Sequence, residues 1–184
     1  TKTGTGVLNV MGPATTALQE VQVLGGTLNI GAAGSVTAIA GAPLDTVVAA
    51  GARLNVEGSY GCGASDDRMS VSGTVSGNGT IDLCGGEDTL TLNDGAVLAN
   101  VVSGGAHGTG DTVALNNANA LSFDAAKTIN FEYLRKENAG EATLTGMQAF
   151  SGGTMVDAGT LSVAGVLETP TLTLAGGTGL DVEG

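Results

Sequence analysis

One short unit constrains this chain more than any other feature: Thr27-Leu28-Asn29-Ile30-Gly31, a polar-apolar-polar-apolar tetrad closed by glycine. It returns as Arg53-Leu54-Asn55-Val56, Thr80-Ile81-Asp82-Leu83, Thr89-Leu90-Thr91-Leu92, Thr112-Val113-Ala114-Leu115, Thr160-Leu161-Ser162-Val163 and Thr171-Leu172-Thr173-Leu174, with a looser copy at Leu8-Asn9-Val10. Side chains of a strand alternate between its two faces, so each tetrad turns its aliphatic pair to one side and its Thr, Asn or Asp to the other. The pattern predicts many short, half-buried strands.

The distances between copies fall into two classes. Leu8 to Leu28 is 20 residues, Leu28 to Leu54 is 26, Leu54 to Ile81 is 27 and Leu90 to Val113 is 23, which suits one full turn of a coil. Ile81 to Leu90 is 9 and Leu161 to Leu172 is 11, which suits a corner between two faces of one turn. A hairpin meander does not mix these classes. A right-handed parallel β-helix of the pectate-lyase and pertactin type does, with aliphatic side chains of successive turns stacked into ladders. Residues 1–184 are read as one such solenoid of about eight rungs, a rod on the order of 40 Å long at about 4.8 Å per rung.

Composition agrees. The chain is 42% hydrophobic with 32 Gly and 3 Pro, but has no Trp, two Tyr and three Phe, so it lacks the bulky fillers of a compact globule and suits thin aliphatic layers. The pairs Gly25-Gly26, Gly85-Gly86, Gly104-Gly105, Gly152-Gly153 and Gly176-Gly177 read as corners that need positive φ. Ala17 to Leu24 is read as strand and not helix, because Val21 and Val23 alternate with Gln22.

A formal charge of −12, from 18 acidic and 6 basic residues, argues against nucleic-acid or anionic-lipid partners, whose phosphates would be repelled. It suits solubility and the protection of sheet edges. No apolar run is long enough for a membrane helix, and no signal-peptide pattern opens the chain, which begins at Thr1. The expectation is a segment excised from a longer, processed protein, without direct membrane insertion.

From Phe131 to Gly165 a family pattern emerges. Phe131-Glu132, Leu134, Lys136, Gly140, Thr143-Leu144-Thr145-Gly146, Phe150, Gly152-Gly153-Thr154, Val156, Gly159-Thr160-Leu161, Val163 and Gly165 follow one another as in the passenger-associated repeat of monomeric (type V) bacterial autotransporters, which this stretch resembles. Met155 stands where Thr is common, and Glu137-Asn138-Ala139 enlarges a turn. The resemblance covers about a fifth of the chain closely. It implies a secreted passenger segment at the bacterial cell surface, held by an outer-membrane translocator outside this sequence. It also implies adhesion or virulence as the role, with host-cell surface or matrix proteins, glycans or sister cells as partners.

Candidate chemistry is sparse. Cys62 and Cys84 lie 22 residues apart, one coil, so a disulfide between adjacent rungs is expected, with two buried free thiols as the alternative. Closing that loop would contribute about 3 kcal/mol. His107, the single histidine, sits among glycines and is read as a loop residue, not a catalytic base. Gly86-Glu87-Asp88-Thr89-Leu90 and Gly110-Asp111-Thr112-Val113 resemble calcium-binding β-roll repeats, but lie 23 residues apart where tandem copies of nine are needed. The adjacent acidic pairs Asp66-Asp67 and Glu87-Asp88 point to opposite faces of a strand and are read as turn or edge residues. Phe123, Phe131, Tyr133 and Phe150 cluster with Lys127, Arg135 and Lys136. They are read as a wider rung in which Ile129, Phe131 and Leu134 turn inward and the basic residues stay solvated, against a ligand-contacting loop. No catalytic, cofactor or metal residues are assigned. The expected protein is a monomeric, non-enzymatic shaft with an adhesive surface; a β-helical polysaccharide lyase or hydrolase fragment and a trimeric adhesin head of left-handed rolls are the rivals.

Overall fold

The computed structural model describes residues 1–12 and 15–183, with Thr15 and Cys62 described in their main chain only. Twenty-five short strands and a single 3₁₀ turn, Ala125–Lys127, follow one another. Each strand pairs with the third strand after it: Val7–Val10 with Thr27–Ile30, Thr27–Ile30 with Arg53–Val56, and so on, always in parallel. Strands of one turn therefore lie on three different faces, and the chain winds as a parallel β-solenoid. The longest sheet, the third face, stacks eight strands from Glu20–Val23 to Leu172–Leu174 and so counts eight turns.

The tetrad explains the interior. Thr27–Ile30, Arg53–Val56 and Arg68–Val71 alternate outward and buried residues, as do most strands of the coil. Register carries the buried positions into vertical ladders: Val23, Val48, Val71, Leu92 and Leu115 stack on one line, and Met69, Leu90, Val113 and Leu134 on the next. All of these are essentially inaccessible. Polar side chains on the outside stack in the same way. Asn29 Nδ2 donates to Asn9 Oδ1 at 2.9 Å, Asn55 Nδ2 to Asn29 Oδ1 at 2.8 Å, and Ser76 Oγ to Asn55 Oδ1 at 3.0 Å. Leu8, Leu172 and Leu174 stay exposed because the end rungs have a neighbour on one side only.

The second glycine of each of the five pairs does adopt positive φ. Backbone contact adds to that need at Gly61, where φ is 116° and a Cβ would overlap the main-chain oxygen of Asp82 on the next rung. Ala17 to Leu24 is strand, but divided between Thr15–Leu18 and Glu20–Val23 on two faces.

Three expectations need correction. Leu54 to Ile81 is not one turn: Leu54 pairs with Val75 on the first face, while Ile81 pairs with Tyr60 on the second, one corner further on. Leu161 to Leu172 spans two corners, with Val166–Glu168 between them. In the aromatic rung, Phe123, Phe131, Phe150 and Leu134 are buried as expected, but Ile129 is exposed and Lys136 is not. Thr128 takes the inward place in its two-residue strand, its hydroxyl donating to Ala125 O at 2.9 Å, so alternation sends Ile129 outward. Lys136 stands in the aliphatic ladder between Leu115 and Val156. Its stem fills the core, and its Nζ escapes to the turn carbonyls of Asn138 and Ala158. Burial holds that ammonium below the usual lysine range, with Asp94 and Glu137 opposing the shift.

Leu90→Ala should cost about 2–5 kcal/mol by leaving a cavity between Met69 and Val113, whereas Val97→Ala on the exposed side should change stability by about 0.5 kcal/mol or less. Urea unfolding followed by circular dichroism checks both.

Candidate functional site

At the corner where the chain turns onto the third face, the residue before each strand stacks on its counterpart one turn away. Those residues are Leu44, Asp67, Asp88, Asp111 and Glu132, preceding the strands Asp45–Val48, Arg68–Val71, Thr89–Asn93, Thr112–Asn116 and Tyr133–Lys136. Each main-chain amide in the column donates to the carboxylate of the next rung. Leu44 N reaches Asp67 Oδ1 at 2.7 Å, Asp67 N reaches Asp88 Oδ1 at 2.7 Å, Asp88 N reaches Asp111 Oδ1 at 2.6 Å and Asp111 N reaches Glu132 Oε2 at 2.8 Å. The three aspartates are buried, and the second oxygen of each has no hydrogen-bond partner.

Three stacked carboxylates out of water cannot all ionise cheaply. Burial lifts Asp67, Asp88 and Asp111 above the ordinary carboxylate range, Asp88 to about 7. Neighbouring acids add to the rise in every case, and the donated amides oppose it.

His107 lies in a loop, as its glycine neighbours imply, but the loop is pinned. The Glu87 carboxylate accepts from the amides of Gly108 at 2.9 Å, Thr109 at 2.6 Å and Gly110 at 2.6 Å, and from the Thr109 hydroxyl at 2.6 Å. Those bonds, the Thr109 hydroxyl first, hold its pKa down at about 2. The framed loop points His107 Nδ1 at the column, 3.0 Å from Glu132 Oε2 and 3.8 Å from Asp111 Oδ2.

The two segments that resemble β-roll repeats are thus stacked directly, and the separation of 23 residues that removes them from that class is the length of one turn here. The signal was present as an acid immediately before a tetrad in consecutive copies, Asp67-Arg68, Asp88-Thr89, Asp111-Thr112 and Glu132-Tyr133. Pairing Asp66 with Asp67 and Glu87 with Asp88 by adjacency hides it. Asp66 Oδ1 accepts from Glu87 N at 3.0 Å in a second, outer stack.

The aromatic and basic stretch supplies a strand, not a loop. Tyr133 and Arg135 face outward from Tyr133–Lys136 and border a shallow cleft of about 350 Å³ with Gly152, Met155, Thr171 and Thr173. Arg135 is held there by Asp157, Nε to Oδ2 at 2.5 Å. Cys84 ends the strand Thr80–Cys84 on the second face and is disulfide-bonded. The register sets it opposite Gly63, next to Cys62 in sequence; the Cys62 side chain lies outside the described residues.

Comparison of the chain with protein-family models, with curated proteins and with solved structures finds no match.

The column sets a pH dependence. A carboxyl whose pKa is higher folded than unfolded contributes stability that is complete below the unfolded value and is lost as pH rises through the folded one. Stability should therefore fall from about pH 4 to about pH 7 as Asp88, ordinarily at 3.8, gives up its proton near 7. Glu87 acts oppositely, but only near pH 2. Asp88→Asn keeps an acceptor for the Asp67 amide and should flatten that slope in thermal melts across pH.

Proposed function

We propose that this chain is a non-enzymatic segment of a secreted autotransporter passenger, a β-helical shaft whose outer faces serve cell adhesion. The observation that carries the reading is the filled, narrow interior: aliphatic ladders occupy the centre of every turn, and the outward positions form flat stacks of Asn, Ser and Thr. Such an object is a rigid spacer with a repetitive polar surface. The sequence resemblance from Phe131 to Gly165 supplies the autotransporter assignment and the cell-surface location.

The rival enzyme reading asks carboxylates to meet a polysaccharide. Asp67, one of its two candidate acids, is fully buried and accepts the Leu44 amide, a structural duty that keeps it from substrate. A trimeric head is disfavoured because the strands find their partners within the one chain. Partners on this reading are glycans, matrix proteins or like surfaces on sister cells, met through the outer stacks and the cleft beside Tyr133.

The purified segment should sediment as a monomer and scatter X-rays as an elongated particle. Bacteria displaying the full passenger should adhere to host cells or to one another more than bacteria displaying a passenger lacking this stretch. A compact or trimeric particle, or turnover of a polysaccharide abolished by Asp66→Asn, would reverse the assignment.

A further inference from the structure

The acidic column ends in a set of donors that hydrogen bonding does not exhaust. Asp67 and Asp88 are enclosed by other rungs, but at Asp111 the loop pinned by Glu87 brings an imidazole to the open side of the corner. His107 Nδ1, an Asp111 oxygen and a Glu132 oxygen all lie within 4.8 Å of one another.

Three observations of different kinds meet there. The first is geometry: Nδ1 lies 3.0 Å from Glu132 Oε2 and 3.8 Å from Asp111 Oδ2. Donors bound at about 2.0–2.2 Å around a tetrahedral or octahedral ion stand about 3.0–3.5 Å apart, so a small closure completes the set. The second is the Asp111 side chain, which is fully buried. Its Oδ1 takes the Asp88 amide, while its Oδ2, on the His107 side, has no hydrogen-bond partner. The third is charge. Asp111 and Glu132 bring two carboxylates to a corner already bordered by Asp88, and His107 is the basic side chain that meets them. A divalent cation with a neutral imidazole and two carboxylates is neutral overall and removes that repulsion.

We propose that His107, Asp111 and Glu132 form a binding site for one divalent transition-metal ion of the Zn²⁺ class. Imidazole nitrogen among the donors selects that class over Ca²⁺ and Mg²⁺, which need six or more oxygens or a largely hydrated octahedron. Glu132 Oε2 keeps its second lone pair for the metal while accepting the Asp111 amide. Three protein donors leave an outward coordination position for water or for a donor from a partner molecule. The ion would clip the loop 105–110 to the rung that carries Tyr133. The site rests on the corner geometry and not on the adhesive reading, which stands or falls separately.

The test is calorimetric titration of the tag-free, disulfide-intact 184-residue chain with Zn²⁺, and in parallel with Ca²⁺, at pH 7.5. One Zn²⁺ per chain is expected, with Ca²⁺ weaker. His107→Asn and Glu132→Gln, each with an unchanged circular dichroism spectrum, should weaken Zn²⁺ by about tenfold or more, since even a group that only supports a ligand is worth that much. Because the chain holds a single histidine, ¹⁵N imidazole spectra of the unaltered protein give an unambiguous second readout: one equivalent of Zn²⁺ should move the Nδ1 resonance. Zn²⁺ binding that survives both substitutions, an Nδ1 resonance that does not respond, or Ca²⁺ binding more tightly than Zn²⁺ would overturn the assignment.

Discussion

The fold depends on one relation, the contact between a residue and its equivalent one turn away. Main-chain hydrogen bonds between parallel strands set the rung spacing, and side chains must then stack on whatever the next rung places beneath them. Apolar side chains satisfy that demand by area: Val on Val and Leu on Leu line the centre. Amides satisfy it by reciprocal donation, as in the chain from Ser76 through Asn55 and Asn29 to Asn9. Carboxylates have no donor to offer, and their stack is the one place where the relation works against the fold.

The column is tolerated because its oxygens do a job the coil needs done. At the entry to the third face, the amides of Leu44, Asp67, Asp88 and Asp111 accept no ordinary strand partner and are closed off from water; the carboxylates of the next rung take them. The cost is charge, met by raised pKa values where the column is enclosed and by His107 where it opens. Lys136 solves a related problem in another way. It enters an aliphatic ladder by its methylenes and leaves it by its tip, so the interior receives the stem and the turn carbonyls receive the charge.

Much of the architecture could be read from the residues. The tetrads name the strands, because period-two alternation is a local property, and the glycine pairs name corners, because positive φ is also local. The errors share an opposite character. Counting Leu54 to Ile81 as a turn fails because tetrads on different faces look alike, and only pairing reveals the face. Ile129 and Lys136 were misplaced because hydrophobicity decides a side chain's direction less firmly than the parity of its strand. The acidic column escaped notice because its members are neighbours across turns and were compared along the chain.

The amino-acid sequence alone therefore determined the building unit, its repetition and the thin aliphatic character of the interior, since each follows from alternation and composition within a few residues. Which residues share a column was decided only in three dimensions. The turns range from 20 residues between Asn9 and Asn29 to 26 between Asn29 and Asn55. Vertical neighbours are fixed by the length of each corner loop and the hydrogen-bond register it imposes, a sum over the whole turn that no local pattern contains. The meeting of His107 with Asp111 and Glu132 belongs to that second kind, because it needs the loop length, the Glu87 anchor and the strand register to be right together.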